Sequence, residues 1–255
     1  MDEALELGEY LPQSFANASE QAYLDFLWSA FQTNYEAERY EFASLAFHLL
    51  YMSFVSFSVW QIRLARPEQF AMSMVGFRSE EEGSLKDCES PFKFYDRLKE
   101  SQIFRFLKLI GCTNQQVGEF AKFVKRRNKI AHPTGTVFFN DQAAIDAEIA
   151  EMMKEVRKIE AHMQPVIVEL YTDFLGARGD DEDWQFSVAG DEVQANLVHA
   201  NYLSTADLTF CCAFDIETLS DRPGFNAMTT LHQSLADLYL PEDEAAQSLT
   251  GLRHK

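Results

Sequence analysis

The residues best suited to chemistry lie in the run Lys122-Phe-Val-Lys-Arg-Arg-Asn-Lys-Ile-Ala-His-Pro-Thr-Gly135. Within it Arg127 and His132 form an R-x4-H pair, with Asn128 directly after the arginine. The run reads as the end of a helix, because Pro133 disfavours helical geometry at the residue before it. On an ideal helix Arg127 and His132 would point roughly 140° apart, whereas Asn128 and His132, four residues apart, would share a face. A helix that breaks at His132 leaves the imidazole able to turn towards the guanidinium or across to a second copy. An imidazole titrates near pH ~6.5 and so takes or gives a proton at neutral pH. A guanidinium grips phosphate oxygens at two points and offsets charge in a pentacoordinate transition state. RNA carries its own nucleophile, the 2′-OH. A base and a cation are then enough to cut the chain and leave a 2′,3′-cyclic phosphate, with no metal or cofactor required.

Local charge suits a polyanion. Between Lys93 and Lys129 stand ten basic residues and three acidic ones (Asp96, Glu100 and Glu119). Of the basic residues, Lys122, Lys125, Arg126 and Lys129 flank the Arg127 site and are the candidate RNA-binding set. This island sits in a chain of 255 residues with a formal charge of −18. Such a charge argues against a general nucleic-acid coat or a binder of anionic membranes, but leaves room for a local basic site.

The elements around the motif read as helices. Apolar residues recur at three- and four-residue spacing in 19–38, 41–65, 91–110, 113–131 and 142–174, and period-two alternation is absent before residue 180. Thr113 and Gln116 have the form of a capping box. Gly111 is the expected cap of the helix before it. Pro67 marks the end of the second helix, and Pro165 is expected to kink or split the fifth. Phe42 to Ile62 holds no Asp, Glu, Lys or Arg and is long enough to cross a bilayer. Its serines, His48 and Gln61, and the lack of a basic flank, favour a central buried helix over a membrane span. His48 is expected to be a hydrogen-bonded core residue.

The segment Ala177-Arg-Gly-Asp-Asp-Glu-Asp183 is acidic and aperiodic, and places a domain boundary after residue 176. From residue 173 onward there are 15 acidic and 4 basic residues. This tail reads as mostly helical, with Ser204 to Asp207 able to cap a helix through the run Thr209 to Ile216. Its charge would favour lying against the basic island, although an independently packed appendage is the simpler expectation. None of Cys88, Cys112, Cys211 and Cys212 forms a C-x-x-C pair, so nothing points to zinc. The acidic start (Asp2, Glu3, Glu6) does not resemble a secretory signal, and the expected compartment is the cytoplasm.

With its helical context, Arg127-Asn128-Lys129-Ile130-Ala131-His132 resembles the RNxxAH form of the HEPN superfamily, over residues 15–175. The resemblance implies an all-α bundle in residues 1–176, followed by a small acidic, mostly helical region in 177–255 of no matched function. It implies a homodimer that pairs two motifs in one cleft, and a metal-independent endoribonuclease with Arg127, Asn128 and His132 as its catalytic residues. Members serve as toxins or antiviral effectors, with an antitoxin or regulatory protein as partner. Others have lost activity and act as modules that bind a protein or nucleotide. Some toxins continue the motif as H-x-Y; here Thr134 takes the tyrosine's place, so modification at that position is not implied.

Overall fold

The computed structural model describes residues 1–75, 77, 85, 88–96, 98–132, 138–139, 141–179 and 184–240. Among them the architecture is all-α: eleven α-helices and several short 3-10 segments, with no strand. The α-helices are α1 (Asp2–Leu5), α2 (Ala18–Glu36), α3 (Tyr40–Ala65), α4 (Pro67–Ser73), α5 (Glu100–Ile103), α6 (Asn114–Phe120), α7 (Lys122–Ala131), α8 (Gln142–Ala177), α9 (Ala189–Val193), α10 (Thr205–Cys212) and α11 (Phe225–Tyr239). The chain forms two compact units: residues 1–11 with 15–166, and residues 12–14 with 167–255. The expected boundary at 176/177 lies further along, because the last turns of α8 pack with the second unit. There Tyr171 meets the His232 ring through a 2.6 Å hydrogen bond and packs edge-on against Phe214.

The first unit is organised around α3. Apolar residues on almost every side leave it buried from Ala43 to Ile62, with only Leu45 and Leu49 partly open. By length and composition α3 could cross a membrane, but 83% of its most apolar window is buried inside the fold. Three of its serines are satisfied locally: Ser53, Ser56 and Ser58 donate to the carbonyls of Leu49, Met52 and Phe54, four residues back. Helix α2 packs beside it, starting where the Asn17 side chain accepts from the N–H groups of Ser19 and Glu20. Phe31 of α2 is fully buried against Phe47 at 5.3 Å.

Three helices depart from their sequence expectations. The stretch 91–110 is not one helix: a 3-10 turn Pro91–Asp96, α5, and a second 3-10 segment Phe104–Ile110 replace it. Aromatic packing overrides helical period here. Phe94 and Phe106 both reach Phe70 of α4, the latter stacked at 4.6 Å. Gly111 does end the stretch, in the left-handed conformation at φ 83°. Residues 113–131 divide at Ala121 into α6 and α7, so that Phe120 and Phe123 are both buried. The Thr113 and Gln116 box forms as expected, with reciprocal bonds of 3.2 and 2.8 Å. Helix α8 is neither split nor ended by Pro165 and runs for 36 residues.

The second unit is built on buried carboxylates. Glu192 is fully buried and accepts from Arg178 Nε, Asn196 Nδ2 and the backbone N–H groups of Gln185 and Phe186, at 2.6–3.0 Å. Burial pushes its carboxyl up, but these donors hold its pKa below the usual value. Ser204 and Asp207 cap α10 through a reciprocal box, as expected from the sequence. A π-helical turn, Gln194–His199, follows α9. Cys211 and Cys212 are buried free thiols.

Candidate functional site: the C-terminal turn of α7

Helix α7 is fixed by its apolar side. Phe123 is fully buried against Tyr51 of α3, with ring centroids 5.6 Å apart. This anchor sets the direction of every polar side chain on the helix. Arg127 turns inward: its guanidinium forms a very short ion pair with Glu100 Oε1, with a side-chain exposure of 26% against 16% for Glu100. The other oxygen of Glu100 takes the Nε2 of His48 at 3.2 Å. His48 lies on α3 and is completely buried, as its place on an apolar helix leads one to expect.

The three groups form one electrostatic unit. Burial raises the Glu100 carboxyl, and the hydrogen bonds from His48 and Arg127 more than reverse this, bringing its pKa to about 2. Burial lowers the His48 pKa, outweighing the opposing pull of Glu100. At neutral pH the imidazole is therefore neutral and donates from Nε2 to a carboxylate. Two buried nitrogens, His48 Nδ1 and Arg127 Nε, have no hydrogen-bond partner among the described residues.

His132 ends α7 as its sequence neighbours require. Its backbone is extended, at φ −100° and ψ 147°, and its N–H reaches the Asn128 carbonyl at 3.1 Å. The residue is exposed and Asn128 is half-buried. Arg127 and Asn128 thus lie near the end of α7 and His132 caps it, but Arg127 pairs with Glu100 rather than with the imidazole. Pro133, Thr134, Arg97 and Asp180 to Asp183 lie outside the described residues.

The basic island divides in two. Lys122 and Arg126 face α8, where both reach Glu151, at 2.6 and 2.7 Å. Arg126 also lies 3.9 Å from Glu148, which accepts from Ser44 at 3.0 Å. The hydrogen bond from Lys122 is the leading cause that keeps Glu151 acidic, whereas burial raises Glu148. Lys125 and Lys129, one turn apart, are exposed and face solvent. A count of charges along 93–129 could not show this, because the neutralising carboxylates arrive from a later helix. Glu100, Glu148 and Glu151 are the residues that sequence reasoning missed as parts of the site. The only signal for Glu100 was a lone acid in a basic stretch.

Chemically, the helix end offers an exposed proton carrier, with an amide one turn before it and a positioned guanidinium next to that amide in the chain. Glu100 fixes Arg127 and offsets part of its charge, and the remaining N–H groups of the guanidinium are its means of reaching a phosphate. Among the described residues no group of three or more His, Cys, Asp or Glu side chains is placed to hold a metal ion. No protein-family model, curated protein or solved structure matches the chain.

Proposed function

We propose that this protein is a metal-independent endoribonuclease of the HEPN type, acting in the cytoplasm as a homodimer in a toxin or antiviral role. The observation that carries the reading is the exposed His132 at the broken end of α7, one turn after Asn128 and five residues after the anchored Arg127, in an all-α setting. His132 takes the proton of the ribose 2′-OH, and O2′ attacks the adjacent phosphorus. The bond to the 5′-oxygen breaks, and that oxygen leaves with a proton from the His132 of a second copy. The products are a 2′,3′-cyclic phosphate and a 5′-OH. Arg127 binds the phosphate oxygens and Asn128 orients the imidazole or the phosphate. Lys125 and Lys129 contact the RNA backbone. Lys122 and Arg126 join them only where RNA displaces Glu151.

Two copies supply a base on one side of the phosphate and an acid on the other, which one motif does not. The test is end-group analysis of RNA digested in EDTA, together with the mass of the active species in solution. Cyclic phosphate ends from a dimer are expected. A monomer that cuts RNA at micromolar concentration contradicts the two-copy mechanism.

One observation favours a second reading. The Glu100 pair already offsets the charge of Arg127, as suits a non-catalytic HEPN module that binds a protein partner, such as an antitoxin, or a nucleotide. Tight association without cleavage of any RNA distinguishes it.

A further inference from the structure

A cavity of about 400 Å3 opens in the first unit between the end of α4, the 3-10 segment Phe104–Ile110 and the first turn of α6. Its two cations, Arg105 and Lys108, owe their alignment to the departure of that segment from α geometry. At three residues per turn, positions i and i+3 stand in line, whereas on an α-helix they diverge by roughly 60°. Both side chains are exposed. Beneath them the aromatic packing that bends the segment continues outward. Phe70 and Phe106 are buried and stacked, and the half-buried Phe77 lies parallel to Phe106 at 5.9 Å. The Arg105 guanidinium rests over the Phe77 ring, 5.3 Å from its centre.

A guanidinium that lies on a ring uses its face, so the N–H groups at its edge stay available. Among the described residues no carboxylate or other hydrogen-bond acceptor engages the side chains of Arg105, Lys108 or the neighbouring Asn114. None of the described lining residues is acidic, in a chain of formal charge −18. This separates the pair from Lys122 and Arg126, whose charge Glu151 takes up. Such a lining selects an anion with several oxygens. A carboxylate has two, which the fork of one arginine satisfies; a phosphate has a third for the ammonium of Lys108. The volume exceeds what a bare phosphate fills and lies within the range of small-molecule sites. Leu109 and Val117 give it an apolar wall for the organic part of a phosphate ester.

We propose that this cavity binds the phosphate of a nucleotide, with Arg105 gripping two oxygens, Lys108 meeting a third and the sugar resting on the apolar wall. The phosphate belongs to the backbone of single-stranded RNA or to a free nucleotide. RNA as the source rests on the ribonuclease reading, to which the cavity adds a backbone contact separate from Lys125 and Lys129; the phosphate site itself does not.

The test is equilibrium binding by titration calorimetry on the full chain, with AMP, UMP and adenosine. A parallel arm uses a 2′-O-methyl pentanucleotide, which resists cleavage. AMP and UMP are expected to bind alike, and adenosine, which lacks the phosphate, about tenfold or more weakly. Arg105→Gln and Lys108→Gln should each weaken the phosphate ligands by about tenfold, the loss of one hydrogen bond to a charged group. Arg105→Lys keeps the charge without the fork and should lose less than Arg105→Gln. Arg39→Gln removes an exposed positive charge outside the cavity and should leave the affinity unchanged. Pentanucleotide binding that both glutamine variants weaken identifies the RNA strand as the source; AMP binding without pentanucleotide binding identifies a free nucleotide. No binding of AMP or the pentanucleotide by the folded wild type overturns the proposal. So does adenosine binding as tightly as AMP, or unchanged affinity in a folded double variant of Arg105→Gln and Lys108→Gln. An equal loss in Arg39→Gln and Arg105→Gln also overturns it, since net charge alone then sets the affinity. Since no arm measures cleavage, an inactive Arg127 and His132 motif leaves the result standing.

Discussion

Glu100 and Arg127 form an ion pair that ties the last turn of α7 to α5, and the free side of the carboxylate rests on a buried, neutral His48. An arginine singled out for chemistry is thereby also part of the packing of its domain. Replacing Glu100 leaves a partly buried guanidinium uncompensated. Since Arg127 keeps about a quarter of its exposure, Glu100→Ala is expected to cost about 2–3 kcal/mol, below the range for a fully buried pair. Urea unfolding of the wild type, both single variants and the double variant with Arg127→Ala measures the coupling. Additive losses would show that the pair contributes nothing of its own.

Acid should weaken the first unit in two stages. His48 has a folded pKa below its ordinary 6.5. The unfolded chain therefore binds a proton that the folded one refuses, and stability falls as pH drops below about 6.5. Glu100, held at about 2 against 4.5, adds a second loss as pH falls from about 4.5 towards 2. Urea midpoints between pH 7.5 and 5.5 should decline in the wild type and decline less in His48→Gln. Identical slopes would remove His48 as the cause.

Gly224 has no room for a side chain. Its φ is 77°, and a Cβ there would fall inside the backbone of Gly179. Gly224→Ala combines a strained conformation with a clash that no side-chain rotation relieves, and should cost about 3 kcal/mol or more. Its effect should fall on residues 167–240, read as lost amide protection there. Wild-type protection in that unit would contradict the account.

The two halves of the basic island should respond differently to substitution. Lys125→Glu and Lys129→Glu should each weaken RNA binding and lower the slope of log affinity against log salt by about 0.7, the value per single-strand phosphate contact. Lys122→Ala, whose charge Glu151 already takes up at 2.6 Å, should change that slope less. Filter binding across salt concentrations reads both. Equal changes at Lys122 and Lys125 would mean that RNA displaces Glu151.

The all-α class and the long helices α2, α3 and α8 were legible because their apolar residues recur at helical spacing from end to end. Helices α2, α3 and α8 start and stop within two or three residues of their sequence limits. The caps at Thr113, Ser204 and Gly111 were legible too, since each is a local rule about one or two residues. The stretch 91–110 was not, because its course depends on which rings Phe94 and Phe106 find on α4. At the site, the break at His132 followed from Pro133. The partner of Arg127 did not follow, because Glu100 lies far off in sequence and the periodicity of its own segment is broken. The same holds for Glu148 and Glu151: net charge along one stretch carries no information about a helix that packs on it.

The central claim is that Arg127 and His132 cut RNA without a metal, and RNA digestion in EDTA tests it most directly, comparing the wild type with His132→Ala. His132 is exposed at a helix end, so its removal should leave the thermal midpoint unchanged. The wild type is expected to cleave with EDTA present, and the variant to be slower by about 10²–10⁴-fold, the usual contribution of a positioned proton carrier. Cleavage only with added Mg²⁺, or full activity in a folded His132→Ala protein, would contradict the mechanism.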